Sequence, residues 1–133
     1  MAEFEYFPQH IRKKIVEHIS QDEKIKMCFI AGSSLAFNKD FVVITSKRVL
    51  VVDERTMGSL GKLYVNIKED VPIEDIESIE IYRSPMDRLI GQASMGLKVD
   101  RYKYLINNGN AGEIKKAIQL ISEIRQSLIQ TKG

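Results

Sequence analysis

The side chains that could do chemistry are few and scattered. His10 and His18 are the only histidines. They stand eight residues apart, on different faces of any helix that holds them, and neither has a carboxylate or cysteine at ligand spacing. No metal site is expected, and His18, flanking Ile11 and Ile15, reads as a partly buried packing residue. Cys28 is the single cysteine, so an intrachain disulfide and a secreted disulfide scaffold are both excluded. A nucleophilic cysteine needs a base within hydrogen-bond reach, and its own segment holds no histidine; Cys28 reads as a small strand residue. Asp53-Glu54, Glu69-Asp70 and Glu74-Asp75 are paired acids. Acid/base work requires one carboxyl that is buried and perturbed, whereas all three pairs fall where strands end or turn. There is no glycine-rich phosphate loop, nucleophile elbow or metal motif. No catalytic residue, cofactor or metal is expected, and the chain does not read as an enzyme.

The basic residues do no better as a site. Arg12-Lys13-Lys14 is the densest run, and three cations on a short helix usually make a solvated face. No aromatic platform for RNA accompanies it, and the net charge of +2 is too small to draw nucleic acid. Phosphate recognition needs several charge-assisted donors together. Lys24, Lys26 and Lys39 are the only lysines near the first inter-strand loop, and they are the candidates for an anion or lipid headgroup.

The elements that must position these residues follow from apolar spacing. Pro8 suits the first turn of a helix, and Ile11, Ile15 and Ile19 recur every four residues, giving a short amphipathic helix over about residues 8–20. The period then drops to two. Ile25, Met27, Phe29 and Ala31 share one parity of a half-buried strand. Residues 32–40 read as a loop. Phe41–Thr45 and Arg48–Asp53 are β-branched runs joined by Ser46-Lys47, a tight hairpin, although Ser-Lys suits no turn that requires positive φ. Both parities are apolar in these runs, so both faces should be covered.

After Gly58 and Gly61, Leu63, Val65 and Ile67 alternate in a fourth strand. Pro72 cannot continue a ladder, so residues 72–76 read as a short turn that points Ile73 and Ile76 inward. Ile79 and Ile81 mark a fifth strand, and Arg83–Ser94 reads as a long loop. Met95, Leu97 and Val99 mark a sixth strand, Asp100-Arg101 a tight turn, and Tyr102, Tyr104 and Ile106 a seventh. Asn110 and Glu113 have capping-box spacing. The helix they open carries Ile114, Ala117, Ile118, Ile121 and Leu128 on one face, and should run to about Gln130.

Seven antiparallel strands closed by one amphipathic helix is the element order of a mainly β, pleckstrin-homology-type barrel or sandwich. Two twisted sheets leave an open corner, and a helix of about 20 residues, roughly 30 Å long, can plug it. The run Asp40-Phe-Val-Val-Ile-Thr-Ser-Lys-Arg-Val-Leu-Val-Val-Asp53 resembles the hairpin of the bacterial PH-like domains of the YokE-like and GRAM-related group, with Ser46 where asparagine is usual. Val71–Ile79 resembles the group's second landmark, an Ile-Pro segment leading into the central strand. The resemblance covers roughly residues 22–130, and implies a helical extension over 1–21 followed by a PH-like domain over 22–133. It implies a fold more than a function.

Composition fits one globular domain: 133 residues, 44% hydrophobic and 29% charged. The acidic, aromatic N-terminus has no signal-peptide pattern, and no apolar run approaches the ~20 residues of a membrane span. The expected location is cytoplasmic. Two features remain as contact candidates. Met86, Leu89 and Ile90 lie in the Arg83–Ser94 segment, where they either tuck under the loop or form a surface. Arg125 interrupts the last helix's stripe between Ile121 and Leu128. A buried unpaired charge is costly. Either Arg125 pairs with an acid, or the helix overshoots the barrel and exposes Leu128 and Ile129. The reading is a non-catalytic binding module that meets a protein partner or another copy of itself. The alternative is a peripheral membrane module that binds lipid headgroups.

Overall fold

A computed structural model describes residues 4–32, 39–57 and 62–132. Its seven strands form two antiparallel sheets. The first holds β1 (Ile25–Ala31), β2 (Asp40–Thr45), β3 (Arg48–Met57) and β4 (Lys62–Pro72), in that order. The second holds β5 (Ser78–Tyr82), β6 (Gln92–Val99) and β7 (Tyr102–Asn110). The sheets meet where the Gly32 N–H donates to the Asn107 and Asn108 carbonyls, at 3.0 and 3.2 Å. A C-terminal helix, the third in chain order, closes the fold over Ala111–Lys132. It buries Ile114, Ala117 and Ile121 completely against the space between the sheets. The expected mainly β, PH-like architecture capped by a C-terminal helix is the one observed.

The interior is lined by one parity of each strand, including Phe29, Ile44, Val49, Leu97 and Ile106. The other parity of β1–β3 builds a second core. A 3₁₀ turn at Phe4–Tyr6 leads into helix α1 (Gln9–His18), which lays Ile11 and Ile15, with the preceding Phe7, onto Cys28, Phe41, Val43, Leu50 and Val52. Each of the two isoleucines is fully buried, worth roughly 2 kcal/mol apiece. This second layer is why β2 and β3 are apolar on both faces. It also corrects the expectation for β1. That strand is not half-buried, because Cys28 is sealed beneath α1.

The β2–β3 turn needs no left-handed residue. The Thr45 hydroxyl accepts from the N–H groups of Lys47 and Arg48 at 3.1 and 2.9 Å, a side-chain-closed turn that Ser46-Lys47 can adopt. At the β6–β7 turn, Asp100 takes the left-handed conformation, at φ 54°. β4 runs to Pro72, which occupies the strand end, and a 3₁₀ turn at Ile73–Asp75 then buries Ile73 and Ile76 as expected. Of the alternating residues in β4, Val65 and Ile67 pack against the α1 layer. The side chain of Leu63, the loop residues 33–38, and Gly58 and Gly61 lie outside the described residues.

Two expectations fail along the second sheet. Ile81 shares the parity of the half-buried Ile79 yet is exposed, since it stands near the end of an edge strand. The Arg83–Ser94 loop is in fact helix α2 (Pro85–Ile90) followed by the first residues of β6. Ser84 and Asp87 form a reciprocal capping box, at 2.9 and 3.1 Å. Pro85 fits the first turn, and Gly91 ends the helix in the left-handed region, at φ 70°. The third helix is α3 (Ala111–Lys132). Asn110 caps it, its Oδ1 accepting from the Glu113 N–H at 3.1 Å. Glu113 does not return the bond, and its Oε2 is buried without a partner.

Candidate functional site

The residues singled out in the sequence do not converge. Lys24 sits beside the β2–β3 turn, where its N–H donates to Ser46 Oγ at 3.1 Å. Lys26 follows near the start of β1. Lys39 precedes Asp40, which pairs with Ala31 at the far end of that strand. All three are exposed, but roughly 25 Å of strand separates Lys24 from Lys39. They do not make one anion cradle.

Near Lys24 the cations are already matched. The Arg48 side chain donates through Nε and Nη2 to the two oxygens of Glu23, each at 2.9 Å, and through Nη1 to Asp70 Oδ2 at 3.1 Å. Thr45 Oγ1 and the Ser20 N–H also donate to Glu23. Burial alone would push the Glu23 carboxyl upward. The hydrogen bonds from Thr45, Arg48 and Ser20 outweigh burial and hold it below the ordinary carboxylate range. Lys47 pairs with Asp22 at 3.1 Å. An open cleft of about 470 Å³ lies beside this group, lined by Lys47, Arg48, Asp70, Pro72, Glu74 and Leu128. Its cations are consumed by neighbouring acids, so it offers a ligand no unmatched charge.

The histidines are clasps, which corrects the expectation for His18. It is exposed, and its Nε2 lies 2.7 Å from Asp70 Oδ2. His10 Nε2 lies 2.6 Å from Glu54 Oε1. They pin the two ends of α1 to β3 and β4. Sequence reasoning missed both pairs because their partners lie 52 and 44 residues away. Asp53 accepts from Asn66 and Arg55, at 3.0 and 3.4 Å. Thus Asp53, Glu54 and Asp70 all have structural partners. In Glu69, burial pushes the carboxyl up, with Asp40 adding to the shift, and Oε2 is unpartnered. Among the described residues no three His, Cys, Asp or Glu side chains come together to hold a metal. Among the described residues no helix is long and apolar enough to cross a membrane.

The contact candidates divide between the two ends of α3. Leu128 is not exposed as the overshoot reading requires. It is half-buried against the core with Ile124, and only the neighbouring Ile129 stands out. At the opposite end, the Ala111 N–H donates to the Gly91 carbonyl at 2.9 Å, which places α2 beside the start of α3. Met86, Leu89 and Ile90 are 63, 82 and 57% exposed, and α2 buries none of its residues. They do not tuck under anything. Ile81 and Tyr82, just upstream on β5, are exposed as well. Tyr82 extends over the outer face of the second sheet, where a side chain at Gly96 would meet Tyr82, Lys103 and Leu105 at 3.2–3.4 Å. The Tyr82 hydroxyl is held by Glu80 and by Lys103. The result is a capped apolar helix that follows an edge strand whose last residues, Ile81 and Tyr82, are also exposed.

This arrangement of sheets and capping helix is a pleckstrin-homology-like fold, and solved structures agree. A DUF1696-family protein with a pleckstrin-homology domain from Shewanella loihica PV-4 superposes with a TM-score of 0.57 at 16% identity, over 85% of this chain and 88% of that one. A pleckstrin-homology domain from Shewanella amazonensis SB2B gives 0.52 at 17% identity, over 80% of each chain. The hSac2 domain of the human phosphoinositide phosphatase Sac2 gives 0.55 at 13% identity, over 90% of this chain and 80% of that one. No protein-family model matches the sequence, and no curated protein matches it. The likeness is one of fold.

Proposed function

We propose that this chain is a non-catalytic docking module that meets a protein surface, its own copy or another protein, through the knob formed by Met86, Leu89 and Ile90. The observation that carries this reading is the state of α2. The helix is capped at both ends by its own residues, so the outward apolar side chains belong to a formed element and not to a frayed loop. Three such residues on six, at the i, i+3 and i+4 positions of one helix face, make the kind of apolar surface that marks a contact site. Ile129, at the far end of α3, is a separate and smaller candidate. Leu128 is too well packed to contribute more than an edge.

The lipid alternative draws less support, because Lys24, Lys26 and Lys39 are dispersed and the cations beside Lys24 are paired. The test of the docking reading is light scattering together with chemical cross-linking of the wild type and of the double variant Leu89→Asp/Ile90→Asp. The variant is expected to fold normally and to lose solution mass or the cross-linked partner. Unchanged mass and unchanged cross-linking would contradict the assignment. Binding of the wild type to anionic vesicles at low salt, abolished by neutralising the three lysines, would favour the lipid reading instead.

A further inference from the structure

Both histidines of the chain lie on one helix, and each faces a carboxylate of the sheet beneath it. His10 stands in the first turn of α1 and meets Glu54 on β3. His18 is the last residue of α1 and meets Asp70 on β4. Histidine is the side chain whose charge changes between about pH 5 and 8. Each contact is an ion pair when the imidazole carries its second proton and a neutral hydrogen bond when it does not. Between the two clasps, Phe7, Ile11 and Ile15 rest on Cys28, Phe41, Val43, Leu50 and Val52.

The charged neighbours give each clasp its share. At His18, Arg48 Nη1 reaches across from β3 to the same Asp70 oxygen, at 3.1 Å, while its Nε and Nη2 hold Glu23. These directly bonded groups are two carboxylates, one guanidinium and one imidazole, so their charges balance only when His18 is protonated. Beside them, Lys47 is occupied by Asp22, and Glu74 lines the adjoining cleft. On α1 itself, Lys14 stands one turn before His18, and Glu17 lines the outer groove of the helix with Arg12 and Lys13. The C-terminal end of a helix favours a cation. His10 has the opposite setting. It lies at the N-terminal end, where the dipole disfavours a cation, with Lys13 and Lys14 one turn on. Arg55, next to its partner Glu54, bonds Asp53. His10 is also more open, at 54% exposure against 32% for His18, and solvent screens it more. His18 is therefore the stronger clasp.

We propose that α1 is a pH-sensitive latch, held on the first sheet by protonated His18 and to a smaller extent by His10, and opening more readily as the imidazoles lose their protons. The latch is tight below about pH 6 and looser above about pH 7.5. Opening uncovers the apolar layer under α1, including Cys28, which is buried while α1 is in place. The latch belongs to the first sheet and does not depend on the docking role given to α2.

Cys28, the single cysteine, is the reporter. A small thiol reagent modifies it in the folded protein at a measurable rate. Dividing by the rate in the urea-unfolded chain at the same pH removes the thiol's own ionisation and leaves the open fraction. In the wild type that fraction is expected to rise roughly three- to tenfold from about pH 5.5 to about pH 8. His18→Gln, which keeps a hydrogen bond but never a charge, should remove most of the rise, and His10→Gln a smaller part. His18→Lys, a cation throughout this range, should keep the open fraction low at the higher pH. Opening of α1 alone should also depend less steeply on urea than global unfolding does, because it exposes less surface. The proposal is overturned by an open fraction equal at both pH values, by a rise that survives the double substitution His10→Gln/His18→Gln, or by a urea dependence equal to that of global unfolding, which would mean that Cys28 is reached only from the unfolded chain.

Discussion

The first sheet is covered twice and the second once. β2 and β3 carry apolar residues on both faces because α1 lies on one side and the barrel interior on the other. Around that sheet the charged groups are mostly matched, with Glu23, Arg48, Asp70 and His18 in one chain of contacts and His10 on Glu54. The second sheet buries one face only. Its edge strand is exposed almost throughout, and its connecting helix α2 buries nothing. On the proposed reading, stability and recognition are separated in space. The doubly covered sheet is the foundation, and the singly covered one presents surface.

That contrast can be broken most severely at α1. Ile15→Ala should cost about 3 kcal/mol, as for other fully buried isoleucines, measured by denaturant unfolding; a cost under about 1 kcal/mol would mean that the α1 layer is dispensable. Arg48→Met should cost nearly as much, about 3 kcal/mol, because it strands the buried Glu23 carboxylate. The same group sets a pH dependence. The folded Glu23 carboxyl lies below its unfolded value of 4.5, so in that range the unfolded chain binds more protons and stability rises with pH. The stability gained from Glu23 is full above about pH 5 and is lost as pH falls through the folded value. Glu23→Gln should flatten that part of the stability curve, and an unchanged acid limb would remove the group from the account. In the second region, Ser84→Ala removes the α2 cap and should cost about 1 kcal/mol, seen as faster amide exchange confined to α2. Smallest of all, Leu89→Ala should change stability by no more than about 0.5 kcal/mol while weakening association.

The foundation was legible in the sequence because it is periodic. Alternation from Ile25 to Ile106 located the seven strands, the double parity of Phe41–Asp53 revealed two covered faces, and Ile114–Ile121 marked the capping stripe. What remained hidden was what depends on distant partners. His18 reads as a packing residue until Asp70 is brought beside it, and Cys28 reads as outward until α1 covers it. The α2 helix was missed for a different reason. It is six residues long with no buried face, so it leaves no periodic trace. Its only signals were Ser84-Pro85, Asp87 and Gly91, which are those of a helix start and stop. The exposed residues of the candidate site could be named from the sequence as apolar in a polar setting, but only the fold shows that Met86, Leu89 and Ile90 stand together on a formed surface, with Leu128 at the other end of α3.

The central claim is that the α2 knob, and not exposed apolar surface in general, makes the contact. A photoreactive benzoylphenylalanine placed at Leu89, and in a second preparation at the equally outward Tyr6, tests it in one gel. A discrete protein adduct from position 89 and none from position 6 is the predicted result. Adducts of equal yield from both positions, or none from position 89, would contradict it.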